Sequence, residues 1–240
     1  MNTTKLTINC DLGEGVPHEE LLFPLIDLAS VACGGHYGDR ESIKATLRLA
    51  KEFGKKAGAH PSYPDRENFG RKSLEIPENE LIGSIRDQIR LFLEIAEELE
   101  IKADHIKFHG ALYNDAAENP DLAKVLIEFL TVEFPQITLF VPPFSETEKF
   151  AMKKGLPVVR EIFGDRAYDE NYKLISRKLE GSLLISSEQV IPNLESIINR
   201  QHIQTYSGKM IPVEADTLCF HGDNPGIHDF LPLIRQRFWK

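Results

Sequence analysis

The stretch His105-Ile-Lys-Phe-His-Gly-Ala-Leu-Tyr-Asn114 gathers two imidazoles, an ammonium, a phenol and an amide. It reads as a strand that ends in a turn. Strand side chains alternate between two faces, so His105, Lys107 and His109 share one face and Ile106 and Phe108 the other. The apolar face can pack under a helix. A plain core would not accept the polar face unpaired. Gly110 lets the chain leave the strand, and Tyr113 and Asn114 are expected in the loop. Such a cluster can move protons through the histidines, whose ordinary pKa is near ~6.5, and hold an anion through the lysine.

The same pattern recurs along the chain. Lys5-Leu-Thr-Ile-Asn-Cys-Asp11 alternates like a strand, with Asp11 at its exit and Glu14 in the following Gly13-Glu-Gly15 turn. Each acid could be a cap or an exposed loop group; together they are candidate general bases. Leu28 to Cys33 is a short buried strand that leaves through Gly34-Gly-His-Tyr-Gly38, with His36 in mid-loop. Lys55 to His60 runs into a proline-stiffened loop bearing His60, Tyr63, Asp65 and Arg71, read as a substrate-facing surface. Pro157 to Phe163 exits through Gly164-Asp-Arg-Ala-Tyr168, offering Asp165 and Arg166. Thr217 to His221 exits through Gly222-Asp223. The glycine spacing matches neither GxGxxG nor GxxxxGK[ST], which excludes a Rossmann or P-loop reading. Asp11, His36, His60, His109 and His221 are ligands enough for zinc. No HxxxH or HExxH pair fixes two of them on a helix, so no tightly bound metal is expected.

Elements that would position these groups follow from periodicity. Strands at 5–11, 28–33, 55–60, 105–109, 138–141, 157–163 and 217–221 alternate with helices. The helices are read at 40–53, 77–99, 121–134, 145–154 and 187–199, with a last one running to about Phe238. Residues 169–184 show no clear period and read as a long, functional excursion containing Arg177. An open sheet would spread the polar strand ends along a line. A closed parallel barrel brings them to one rim, so a single seven-stranded, distorted β/α barrel over residues 1–240 is expected.

Composition narrows the function. The chain has 240 residues, 42% of them hydrophobic, which suffices for one large core. A net charge of −9 argues against nucleic-acid or anionic-membrane partners. There is no spanning hydrophobic run, and Met1 to Lys5 lacks a signal h-region. Cys10, Cys33 and Cys219 sit apart in apolar runs, as reduced thiols of a cytoplasmic protein would.

Seven segments occur in order: Asn9 to Gly15, Ala32 to His36, Gly58 to Asp65, Phe69 to Arg71, Lys107 to Asn114, Gly164 to Tyr168 and Phe220 to Asp223. Together they resemble the family of 5-oxoprolinase A subunits, also called lactam-utilisation proteins, from about residue 6 to the C-terminal helix. Departures from its pattern are Gly35 in place of a bulky aromatic, Phe108 in place of proline, and no glycine after Tyr168; they bear on the shape of the pocket. The resemblance implies a barrel of the glycoside hydrolase/deacetylase type. It also implies ATP-dependent opening of 5-oxoproline to glutamate, with Mg2+ accompanying ATP and separate B and C subunits as partners.

A lactam amide is a poor electrophile until its oxygen is phosphorylated. Attack on the activated carbon then needs a base, a cationic clamp and a proton donor for the ring nitrogen. Asp11, Glu14, His60, Lys107, His109 and His221 are the catalytic candidates. His36, Tyr63, Arg71, Tyr113, Asn114, Asp165, Arg166 and Asp223 are the candidates for binding. Two other readings compete: a metal-dependent amide or polysaccharide deacetylase-like hydrolase, and a non-catalytic binding subunit.

Overall fold

The computed structural model describes residues 6–239. Lys5, the expected start of the first strand, and the Met1 to Lys5 segment lie outside them. Seven parallel strands close into a barrel: β1 (Thr7–Leu12), β2 (Leu28–Ala32), β3 (Lys56–His60), β4 (Ala103–Ile106), β5 (Thr138–Val141), β6 (Val158–Phe163) and β9 (Thr217–His221). Closure runs through β9, whose Cys219 lies level with Asn9 of β1 and Phe163 of β6. The barrel is wrapped by α1 (Arg40–Glu52), α2 (Glu78–Glu98), α3 (Gly110–Glu118), α4 (Pro120–Glu133), α5 (Glu146–Lys154), α6 (Ser187–Arg200) and α7 (Ile227–Phe238). Among the described residues no helix is long and apolar enough to cross a membrane.

Strand parity divides the core in two. Ile8, Cys10 and Leu12 face outward and pack with the helical stripes, such as Ile43 and Leu47 of α1 and Ile85, Ile89 and Phe92 of α2. The inward positions of β1, Asn9 and Asp11, are polar and buried. So are Ser30, His60, His105, Lys107, Glu161 and Thr217. A barrel interior is ordinarily filled with branched aliphatics. Here the polar groups satisfy one another: Asn9 Nδ2 donates to Thr217 Oγ1 at 3.0 Å, and Ser30 Oγ lies 3.0 Å from His105 Nε2. The His105 ring stacks on Phe140 with centroids 4.0 Å apart. A Cβ at Gly58 would stand 2.5 Å from that ring, so only glycine leaves room for it.

Three features differ from expectation. Strand β4 ends at Ile106 rather than His109, although the Lys107 and His109 N–H groups still donate to Ala59 and Pro61 carbonyls at 3.0 and 2.9 Å. Tyr113 and Asn114 are helical, in α3, not in a loop. That helix starts at the glycine that marks the strand exit and has only 9 residues, too few to display a period. A small antiparallel hairpin, β7 (His202–Gln204) with β8 (Met210–Pro212), precedes the last barrel strand. Its strands are too short for alternation to show. The excursion at 169–184 is ordered by bridges pairing Arg166 with Leu183 and Tyr168 with Leu174, and it folds over the barrel mouth.

Candidate functional site

Lys107 stands at the centre of the barrel. Its Nζ lies 2.7 Å from Asp11 Oδ1, 3.0 Å from Glu161 Oε2, 3.2 Å from Asn9 Oδ1 and 3.0 Å from Cys219 Sγ. Burial opposes the charge of Lys107, but Asp11 leads the neighbours that hold its ammonium well above the ordinary lysine range. Burial likewise opposes ionisation of Asp11, yet His60 and Lys107 outweigh it and keep that carboxyl well below the usual range. Glu161 gains less: burial pushes its carboxyl up despite Lys107. The cation is thus neutralised within the protein and does not wait for a substrate anion.

One layer nearer the mouth, four buried residues meet. Glu14 follows β1, His36 stands in the loop after β2, His60 ends β3, and His109 lies between β4 and α3. Glu14 Oε1 is 2.9 Å from His36 Nε2 and 3.3 Å from His109 Nδ1, and His109 Nδ1 is 3.0 Å from His60 Nε2. The His36 and His109 rings stack at 3.6 Å. Gly70, in the left-handed region at φ 62°, lets the preceding loop press on both rings, where a Cβ would come within 2.9 Å of His36. Burial pushes the His36 and His109 imidazoles well below their ordinary pKa. Burial, then the charge of Asp11, pushes Glu14 up to about 7.

Across the mouth, Asp165 Oδ1 accepts from His221 Nδ1 at 2.9 Å, and Oδ2 accepts from the His221 backbone N–H at 3.1 Å and from Asn224 at 2.9 Å. Burial works against the Asp165 charge, but these partners, His221 foremost, hold its carboxyl below the usual range. The imidazole is fixed in place with Nε2 left for the cavity side. That cavity, about 490 Å³, is lined at its floor by Asp11, His60, Lys107, His109 and His221. Arg71, Arg166, Arg177 and Lys178 line its mouth. Asp223 bridges two of these cations, accepting from Arg71 at 2.5 Å and Arg177 at 3.0 Å. Arg166 donates to the Ser182 and Ile175 carbonyls, tying the 169–184 excursion down. So a cationic mouth sits on a chain whose net charge is −9.

The expected residues are not all where the sequence suggested. Asp11, His60, Arg71, Lys107, His109, Tyr113, Asn114, Arg166 and His221 line the cavity. Tyr63 does not: it is buried, donates to Asp115 at 3.0 Å, and faces a different cleft beyond α3. His36 and Glu14 sit behind His60 and His109, not among the residues lining the cavity. Asp165 is wholly buried and spends its oxygens on His221 and Asn224, so it positions rather than binds. Asp223 holds guanidiniums. Gly35 packs away from the cavity, where a Cβ would run into Ser62 Oγ and Gln88 Oε1, whereas Phe108 is part of the lining. Glu161 was missed. Its signal was an acid between Val159 and Phe163 on the inward face of that strand, level with Thr217.

The comparisons with known proteins agree with this architecture. The LamB/YcsF family model matches residues 6–240. The A subunit of 5-oxoprolinase from Erwinia tasmaniensis is 37% identical over 234 residues, covering 98% of this chain and 96% of that protein. A crystal structure of the lactam utilization protein from Thermus thermophilus superposes with a TM-score of 0.88 at 30% identity, covering 97% of this chain and 96% of the other. The seven-stranded barrel is therefore the lactam utilization protein fold, and the chain belongs to the LamB/YcsF family.

Proposed function

We propose that this chain is the A subunit of a 5-oxoprolinase, opening the lactam ring of 5-oxoproline to give L-glutamate with hydrolysis of ATP. The observation that carries the reading is the cavity itself: acid–base groups on the floor and guanidiniums at the mouth, in a space that suits a small anion. The name of the Erwinia relative supplies the substrate. A cationic mouth on an acidic protein focuses anions toward the floor. Arg71, Arg166 and Arg177 suit the substrate carboxylate or a phosphoryl group on the lactam oxygen. The chain lacks a glycine-rich phosphate loop, so these side chains are its phosphate-holding groups. ATP, with Mg2+, supplies the phosphoryl group that makes the amide carbon electrophilic.

The chain's own residues then divide the work. Asp11, ionised at the floor, accepts a proton from water as the water oxygen bonds to the ring carbon. The added hydroxyl loses its proton to solvent as the carbon–nitrogen bond breaks, while His221, as an imidazolium whose Nδ1–H is held by Asp165, gives its Nε2 proton to the nitrogen. A second water releases phosphate from the acyl phosphate, leaving glutamate. The B and C subunits are the expected partners, and a cytoplasmic location fits the free cysteines.

The test is glutamate release from 5-oxoproline and ATP, measured with the chain alone and after co-expression with B and C. Release that needs this chain supports the reading, and release by B and C without it overturns it. At the rim, Arg177→Leu should raise the KM for 5-oxoproline about tenfold or more, the scale of one charge-assisted contact, with a smaller change in kcat. An unchanged KM would remove Arg177 from binding.

A further inference from the structure

We propose that Glu14, His36, His60 and His109 bind one divalent transition-metal ion of the zinc class in the wall of the cavity, behind His60 and His109. Unmatched lone pairs point to it. His60 Nδ1 faces the Lys107 carbonyl at 2.8 Å, and His109 Nε2 faces the Phe69 carbonyl at 3.0 Å. A carbonyl only accepts, so both of these nitrogens carry hydrogen. In the neutral rings the other nitrogens, His60 Nε2 and His109 Nδ1, are then lone pairs, and they face each other at 3.0 Å. Glu14 Oε1, a third acceptor, lies 3.3 Å from His109 Nδ1 and 4.0 Å from His60 Nε2. His36 Nε2 closes the group at 2.9 Å from that oxygen, while its buried Nδ1 has no hydrogen-bond partner.

Lone pairs of His60 Nε2, His109 Nδ1 and Glu14 Oε1 that converge in this way call for a positive charge among them. All four ligand atoms lie within 4.8 Å of one another. A tetrahedron built on bonds of about 2.1 Å has edges of roughly 3.4 Å, so small movements suffice. Three imidazoles and one carboxylate suit zinc and its neighbours rather than magnesium or calcium. Outer contacts are those of metal-bound histidines: a backbone carbonyl on the far nitrogen of His60 and of His109 fixes tautomer and ring orientation. A proton on His60 Nε2, shared with His109 Nδ1 at 3.0 Å and facing Asp11 Oδ2 at 3.4 Å, is the rival occupant, and zinc uptake by the wild type separates the two.

No HxxxH or HExxH pair in the sequence fixes two ligands on one helix, which argues against a tightly bound metal. The barrel gathers the ligands from four strand exits instead. His60 and His109 also line the cavity, so the ion would stand at the edge of the substrate space. This metal site does not depend on the ring-opening reading, because it is tested without substrate.

Chelator-treated, refilled protein should hold about one zinc per chain by elemental analysis, and its melting temperature should rise with free zinc. Glu14→Gln combined with His36→Gln should weaken zinc binding at least about a hundredfold, beyond the usual loss from an outer contact. Cobalt in place of zinc should give d–d bands of nitrogen and oxygen ligation. A folded wild-type protein that takes up no zinc, or a double variant that binds it equally, overturns the site. Should the variant not fold, the wild-type cobalt spectrum decides. Thiolate charge-transfer bands would place the ion at a cysteine and overturn the assignment.

Discussion

Replacing Asp11 by Asn should lower glutamate release roughly a hundredfold or more, the scale of a lost general base, while the fold stays nearly intact. The shape barely changes. The Asn oxygen can still accept from Lys107 Nζ, now 2.7 Å away, and Glu161 at 3.0 Å still balances the ammonium. Turnover with the partner subunits and a thermal melt of the same preparation check this. A lowered melting temperature with turnover kept would make Asp11 structural and remove it as the base. Acid adds a second readout. Asp11 has a depressed carboxyl in the fold, so its contribution to stability is present above the unfolded value of about 3.9 and fades as pH falls through the lower folded value. Below about pH 4 the wild type should therefore lose melting temperature more steeply than Asp11→Asn.

Asp11 could be singled out from sequence because strand parity is strict. Asn9 and Asp11 had to share a face, and so did Lys107 and His109, whichever fold held them. The barrel followed from polar groups at successive strand exits, since only closure brings His60 and His221 to one rim; both line the same cavity. Depth was not legible. Position along an inward face decides whether a polar group meets solvent or another polar group, and that depends on neighbouring registers. His105 shares the face of Lys107 but lies below it, bonded to Ser30. Tyr63 sits in the expected loop but turns to Asp115.

Long-range pairing was equally hidden. Asp165 and His221 are 56 residues apart, and Lys107 and Asp11 are 96. Nothing local marks either pair. The same holds for the Glu14, His36, His60 and His109 group, which no sequence spacing announces. Arg177 was visible only as a cation in an aperiodic stretch; its role at the mouth comes from the bridges that fold residues 169–184 over the barrel.

Lys107 changes most between the two views. A buried cation read from sequence calls for a substrate anion, and Lys107→Met then looks like a folded, inactive variant. In the structure the ammonium balances Asp11 and Glu161, all three nearly inaccessible to solvent. Removing it leaves two buried carboxylates facing each other with no cation between them. Breaking a buried pair in this way costs about 3–5 kcal/mol, so Lys107→Met should be strongly destabilised as well as inactive. Neutralising one acid should restore part of the loss: Lys107→Met with Glu161→Gln should melt higher than Lys107→Met alone. The pH dependence has a definite sign. Without Lys107 the folded pKa of Glu161 is raised further above its unfolded value of about 4.3. Stability is then fully present below that unfolded value and is lost as pH rises through the folded one. The single variant should therefore recover toward about pH 4–5, and the variant carrying Gln should recover less. Chemical denaturation of the three proteins across that range checks both statements. A single variant as stable as the wild type at neutral pH would mean that Lys107 does not balance these acids.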